Sequence, residues 1–290
     1  MGLVLNERRV SVANGSVKLS VRDLGGQGRG LLLLHGLASS SHIFDLVAPL
    51  LVPEFHVVAY DQRGHGESSK PSSGYGFDHM AADAAAVIRE LRLDRPVALG
   101  HSWGANVALE LGVREPEVVS GLILLDGGFM SMRGRMDWKS TKEMLAPPAI
   151  AGMPVDQWLS MMRGFMSSQL EVTPAVENVF RSLMRVDREG RIRPRLSRAN
   201  HLRILRALWE QDAGELLRRL RLSTLILATR QPDPGPADAG FIAAKQLGEQ
   251  QVREIGGPIR FEWIEGIHDV PLQHPDEVAE RIRGFAASAA

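Results

Sequence analysis

Residues 97–112 read VALGHSWGANVALELG. A short apolar run, Val97–Leu99, meets an apolar-periodic one carrying Val107, Leu109 and Leu111, and Ser102 stands at the junction between Gly100 and Gly104. A strand that ends, turns sharply and starts a helix within a few residues holds its turning residue in a strained backbone conformation. Small neighbours two positions away on each side keep that turn from clashing, which is the physical reason for Gly-x-Ser-x-Gly. The turn exposes the serine oxygen beyond the strand end. It also aims the next N–H, that of Trp103, and the helix N-terminus at the space beside it, where an anionic intermediate can be held. The bland reading is an ordinary strand–helix turn whose glycines serve only packing. The strand before and the helix after favour the functional one.

Similar apolar runs flank this stretch. They are GLLLLHG (30–36), FHVVAY (55–60), PVALGHS (96–102), SGLILLD (120–126), STLILAT (223–229) and IRFEWIEG (259–266). Such runs suit strands buried on both faces of a parallel sheet. Two earlier runs flank Asn14-Gly15, a strong hairpin turn. Helical patterns lie between the runs: 78–93 puts Met80, Ala84, Val87, Ile88 and Leu91 on one stripe, and a last helix follows Pro275. The alternation predicts an α/β fold with a mostly parallel central sheet flanked by helices. Ligands bind at the carboxyl ends of strands in such sheets. His35, Asp61, Ser102, Asp126 and His268 all fall at such ends.

Residues 129–215 break the alternation. Nine of the 11 methionines fall between Met130 and Met184, with Trp138 and Trp158 among them. The expectation is a core of residues 1–128 and 216–290 with an inserted helical cap at 129–215. The methionines suit a flexible apolar pocket or simply the cap's own core.

Lys+Arg and Asp+Glu are equal at 34 each, which argues against general attraction to nucleic acid or anionic membrane. The absence of cysteine excludes disulfides, thiolate metal sites and cysteine nucleophiles. The histidines are scattered, so neither metal nor cofactor is expected. No apolar run approaches a membrane span and no signal peptide is evident, which leaves the cytoplasm as the default location.

A serine hydroxyl needs a general base. His268, after the last core strand and before the last helix, is the best placed. His274 opens that helix and suits a cap, and the His101 side chain points away from the serine. The base needs a carboxylate. Asp126 ends the sixth strand, while Asp233 and Asp238 lie in the loop after the seventh; each can reach the histidine. Gly36 allows the backbone to approach the serine, so Leu37 N–H is a second oxyanion donor beside Trp103 N–H. His35 is expected to be structural, and YDQRGHGES (60–68) a turn that organises the strand ends; it lacks the Gly-Lys-Ser/Thr of a phosphate loop.

LLLLHG, YDQRGHGES, LGHSWGANVAL and GIHDVPLQHPDEVAERIRGF occur in the order seen in capped α/β-hydrolase fold enzymes, and the chain resembles them over about residues 24–285. The resemblance implies Ser102 as nucleophile, His268 as base, and Leu37 and Trp103 as oxyanion donors. The glycine-rich HGGG loop of some esterases is missing, and the Gly-x-x-Asp turn after the seventh strand reads Thr229-Arg230-Gln231-Pro232-Asp233 instead. Some members, haloalkane dehalogenases among them, carry the acid after the sixth strand, 24 residues past the nucleophile. Asp126 stands 24 residues past Ser102, which favours it. Dehalogenases and epoxide hydrolases use an aspartate nucleophile, which serine at 102 argues against. The expected activity is cleavage of a medium-sized hydrophobic ester or lactone through an acyl-enzyme. Carbon–carbon bond hydrolysis, cofactor-free perhydrolysis of the haloperoxidase kind, and a slow-turnover ligand receptor are the rivals.

Overall fold

A computed structural model describes residues 7–166, 169–232 and 235–288. Strands β1 (Arg8–Asn14), β2 (Val17–Gly25), β3 (Arg29–Leu34), β4 (Phe55–Asp61), β5 (Val97–His101) and β6 (Gly121–Leu125) come first. A short pair, β7 (Met184–Val186) and β8 (Ile192–Pro194), precedes β9 (Thr224–Arg230) and β10 (Ile259–Glu265). Eight of them form one sheet in the order β1-β2-β4-β3-β5-β6-β9-β10. β1 and β2 are an antiparallel hairpin added to β4, and β4 through β10 in that order are parallel. The sheet is thus the mostly parallel α/β sheet that the apolar runs predict.

Successive side chains of a strand point to opposite faces, and the leucine run of β3 serves both. Leu31 and Leu33 join one hydrophobic core, Leu32 and Leu34 the other. The helices that cover these faces are α1 (Ala48–Leu51), α2 (Phe77–Glu90) and α3 (Trp103–Arg114), then α8 (Ala213–Arg219), α9 (Pro236–Ile255), α10 (Val270–Gln273) and α11 (Pro275–Ser288). α2, α3 and α8 pack on the core of Leu32 and Leu34; α1 and α11 pack on that of Leu31 and Leu33. β10 departs from expectation. It forms the edge of the sheet, and Ile264 is its one buried residue, because no strand among the described residues covers its outer side.

Between β6 and α8 run α4 (Trp138–Leu145), α5 (Val155–Met166), α6 (Pro174–Ser182), the β7–β8 hairpin and α7 (Arg198–Glu210). The helices start where oxygen-bearing side chains satisfy first-turn N–H groups. Asp137 caps α4, Thr173 caps α6 ahead of Pro174, and Ser197 caps α7. The β7–β8 hairpin was not expected; at three residues per strand it is too short to give a periodic signal. Among the described residues no helix is long and apolar enough to cross a membrane.

Candidate active site

β5 lies inside the sheet between β3 and β6, and Ser102 follows its last residue. Ser102 has φ 56° and ψ −125°, a backbone conformation that costs a non-glycine residue on the order of 1–3 kcal/mol. Close packing holds it there. A Cβ on Gly100 would lie 2.1 Å from Gly104 O, and one on Gly104 would lie 2.2 Å from Leu34 O. Both glycines of the motif therefore let backbone meet backbone. Gly127 does the same from the neighbouring strand end, where a Cβ would lie 2.1 Å from Ser102 O. Ser102 N donates to Leu125 O at 2.8 Å. Ser102 holds the N-cap position of α3, yet its hydroxyl makes no cap bond; its Oγ meets His268 Nε2 at 2.8 Å instead.

His268 Nδ1 donates to Asp126 Oδ2 at 2.6 Å. Serine, imidazole and carboxylate thus form one hydrogen-bonded series assembled from the ends of β5, β10 and β6. Burial opposes a proton on His268. The hydrogen bond and charge of Asp126, then the charge of Asp269, outweigh it, so the His268 pKa lies above its ordinary value. Burial alone would raise the Asp126 pKa; the His268 hydrogen bond, the His268 charge and Lys245 together hold it well below the usual carboxylate range. Asp126 is the carboxylate in contact with His268. Asp233 lies outside the described residues, as does the side chain of Asp238.

Sequence reasoning missed three contributors. Lys245 of α9 contacts Asp126, and Thr229 N donates to Asp126 Oδ1 at 2.8 Å. A lysine in the middle of a helix, 119 residues from its partner, carries no local signal. His101 Nε2 donates to His268 O at 2.8 Å and so ties down the segment that bears His268. Burial first, then the charge of His268, brings the His101 pKa down to about 4. As expected, the His101 ring is not bonded to the serine.

The loop after β3 approaches the serine closely. A Cβ on Gly36 would lie 3.0 Å from Ser102 Cβ. Two buried histidines hold the loop. His35 Nδ1 donates to Gly36 O at 2.8 Å while its Nε2 accepts from Gln62 N at 3.0 Å. His65 Nδ1 donates to Arg63 O, and its Nε2 accepts from Ala38 N at 3.1 Å. Each ring is therefore neutral with its proton on Nδ1, and burial lowers both pKa values, that of His65 strongly. Asp61, at the end of β4, accepts from Ser41 N, Ser41 Oγ and Glu67 N, which makes 60–68 an organiser of the strand ends. Trp103 is the first residue of α3, and first-turn N–H groups have no partner inside their own helix.

Leu37, Ser102, Trp103 and His268 all line one cavity of about 560 Å³. Leu145, His201, Leu205 and Leu208 line it from the segment between β6 and α8, and Phe241 and Ile242 from α9. Of the methionines in that segment, Met130 and Met132 line the cavity; Met166 and Met184 are buried in the hydrophobic core, and Met144 and Met161 are exposed. Trp158 is likewise in the core. Among the described residues no group of three or more His, Asp or Glu side chains could hold a metal ion.

The family described as the alpha/beta hydrolase fold matches residues 31–176. A 2-(acetamidomethylene)succinate hydrolase of Mesorhizobium japonicum is 36% identical over 119 residues, 41% of this chain. The match spans 42% of that relative's length. The crystal structure of an E-2-(acetamidomethylene)succinate hydrolase superposes with a TM-score of 0.73 at 22% identity, covering 98% of this chain and 100% of that one. An enol-lactonase from Burkholderia xenovorans superposes with a TM-score of 0.71 at 14% identity, over 97% of this chain and 100% of that one. At those identities the two structures speak for the fold alone.

Proposed function

The chain belongs to the α/β-hydrolase fold family, and from that premise we propose that it is a serine hydrolase cleaving a carboxylic ester or lactone through an acyl-enzyme. The observation that carries this reading is the Ser102–His268–Asp126 hydrogen-bonded series opening on an apolar cavity. Ser102 Oγ attacks the carbonyl carbon as His268 Nε2 takes its proton. Asp126 stays ionised, fixes the imidazole tautomer and stabilises the imidazolium. The amides of Leu37 and Trp103 hold the oxyanion, at about 3 kcal/mol per donor. Collapse expels the alcohol, which receives the proton from His268. Water, activated by the same imidazole, then releases the acid.

The residues 129–215 act as a cap, because Leu145, His201, Leu205 and Leu208 form part of the wall facing Ser102. A cavity of this size with leucine, methionine and phenylalanine in its lining suits a medium-sized hydrophobic substrate. Serine at 102 in place of a carboxylate favours acyl transfer over the alkyl chemistry of dehalogenases and epoxide hydrolases.

Initial rates on p-nitrophenyl acetate, butyrate and octanoate test the reading. Turnover is expected to peak at medium chain length. Ser102→Ala should lower kcat by about a millionfold and Asp126→Asn by about ten-thousandfold. Equal rates in wild type and Ser102→Ala would overturn it.

A further inference from the structure

Lys245 sits where a substrate-binding cation would be expected, beside the catalytic carboxylate and in the cavity lining, but its contacts point elsewhere. Its Nζ lies 2.7 Å from Asp126 Oδ1 and 3.0 Å from Asp126 Oδ2. It also donates to Thr229 O at 2.8 Å and to Thr229 Oγ1 at 2.9 Å. An ammonium has three protons, so Asp126 and Thr229 together occupy all of them. The side chains are 12% exposed for Lys245 and 1% for Asp126.

The carboxylate is correspondingly complete. Oδ1 accepts from Thr229 N and faces Lys245, while Oδ2 accepts from His268 and Lys245. Asp126 itself has φ 51°, a left-handed conformation that the surrounding contacts must maintain. Lys245 reaches it from α9 and grips β9 at the same time. It joins the acid to the strand beside it, and it divides the field of one carboxylate between two cations.

Resting on Ser102 as nucleophile, we infer that Lys245 is a positioning residue of the catalytic series. By sharing the Asp126 carboxylate with His268, it fixes that carboxylate against the end of β9 and limits how firmly Asp126 holds a proton on the imidazole. Without the ammonium, burial alone would oppose the pull of Asp126 and Asp269 on the His268 proton, and the imidazolium would persist to higher pH. Other titratable groups also face His268, but none of them contacts Asp126 in the bonds described. Asp269, next in the chain, favours the proton as Asp126 does. His101, from β5, faces the ring with centroids 5.0 Å apart and bonds the His268 carbonyl. Ser102 faces Nε2, and Arg230 and His201 line the same cavity from β9 and α7.

The test is the pH dependence of labelling by a fluorophosphonate, which reacts with an activated serine and needs no knowledge of the natural substrate. Wild type, Ser102→Ala, Lys245→Met and Lys245→Arg are compared on the full chain. The acid limb of the labelling rate should move up by about one pH unit in Lys245→Met. Lys245→Arg, which keeps a cation, should return it towards wild type. Rates are compared only at pH values where thermal denaturation shows each variant folded, so acid unfolding cannot imitate a moved limb. Ser102-dependent labelling with an unmoved or lowered limb in Lys245→Met would overturn the role of Lys245 and leave the nucleophile intact. Wild type with no Ser102-dependent labelling would overturn the serine-hydrolase reading, and this inference with it.

Discussion

Gly127 and Gly164 occupy two regions built on opposite terms. A Cβ on Gly127 would strike Ser102 O at 2.1 Å and Ser102 C at 2.7 Å, whereas one on Gly164, within α5, would meet nothing within 4 Å. Around the strand ends, backbone rests on backbone, and buried polar groups such as Asp61, His35, His65 and Asp126 are hydrogen-bonded. α5 instead presents Met161 and Phe165, the latter 77% exposed, beside a solvent-facing Arg163–Glu177 ion pair. Such surface pairs contribute roughly 0–1 kcal/mol. The contrast teaches where precision resides. The site is held by contacts that admit no added atom, and the segment beside it by amphipathic packing that tolerates change.

The same substitution in both regions breaks or sharpens that contrast. Gly127→Ala should lower kcat/KM about a hundredfold or more, since a displacement of about 1 Å at a catalytic group costs that much. It should also lower Tm, because overpacking costs about 1–3 kcal/mol. Unchanged rates in Gly127→Ala would show that the strand ends have slack.

An intermediate effect belongs to the buried histidines. In the fold His35 and His65 have pKa values below the ordinary 6.5, so the unfolded chain binds more protons in the window beneath that value. Their stabilisation is fully present above about pH 6.5 and is lost as pH falls through their folded values. His101 and His201, both lowered first by burial, act in the same direction. His268, with its raised pKa, opposes them: its contribution is present below 6.5 and lost as pH rises through its folded value. Four oppose one, so Tm should drop between about pH 8 and pH 5. A Tm that is flat or rises on acidification would refute the neutral assignment of these rings.

Gly164→Ala should have the smallest effect and the opposite sign. Replacing an exposed helical glycine by alanine stabilises by about 0.5–1 kcal/mol. Thermal denaturation should show Tm rising by about one or two degrees with activity unaltered. A fall in Tm would mean that α5 is packed as tightly as the strand ends.

Much of this was legible in the chain. The apolar runs located the six parallel strands, and the turn at Asn14-Gly15 located the hairpin. Gly100 and Gly104 marked the strained serine, because the steric reason for both glycines is local to one turn. The site was legible in proportion to that locality. Ser102 announces itself, and His268 follows from its place between the last strand and the last helix. Asp126 was favoured over Asp233 and Asp238 only by its spacing from Ser102; its contact with His268 became visible when the ends of β6 and β10 were seen together. β10 as an exposed edge escaped the pattern, because burial depends on what lies beside a strand rather than on its own residues.

The sequence by itself determined the layered fold and pointed to the strand ends, to Ser102 in its strained turn and to His268, since periodicity and turn sterics act between near neighbours. The tertiary structure alone decided which carboxylate meets His268, that Lys245 and Thr229 share that carboxylate, and that His35, His65 and His101 brace the loops around it. Those choices depend on distances between residues far apart in the chain, and only the packing of the sheet brings them within hydrogen-bonding reach.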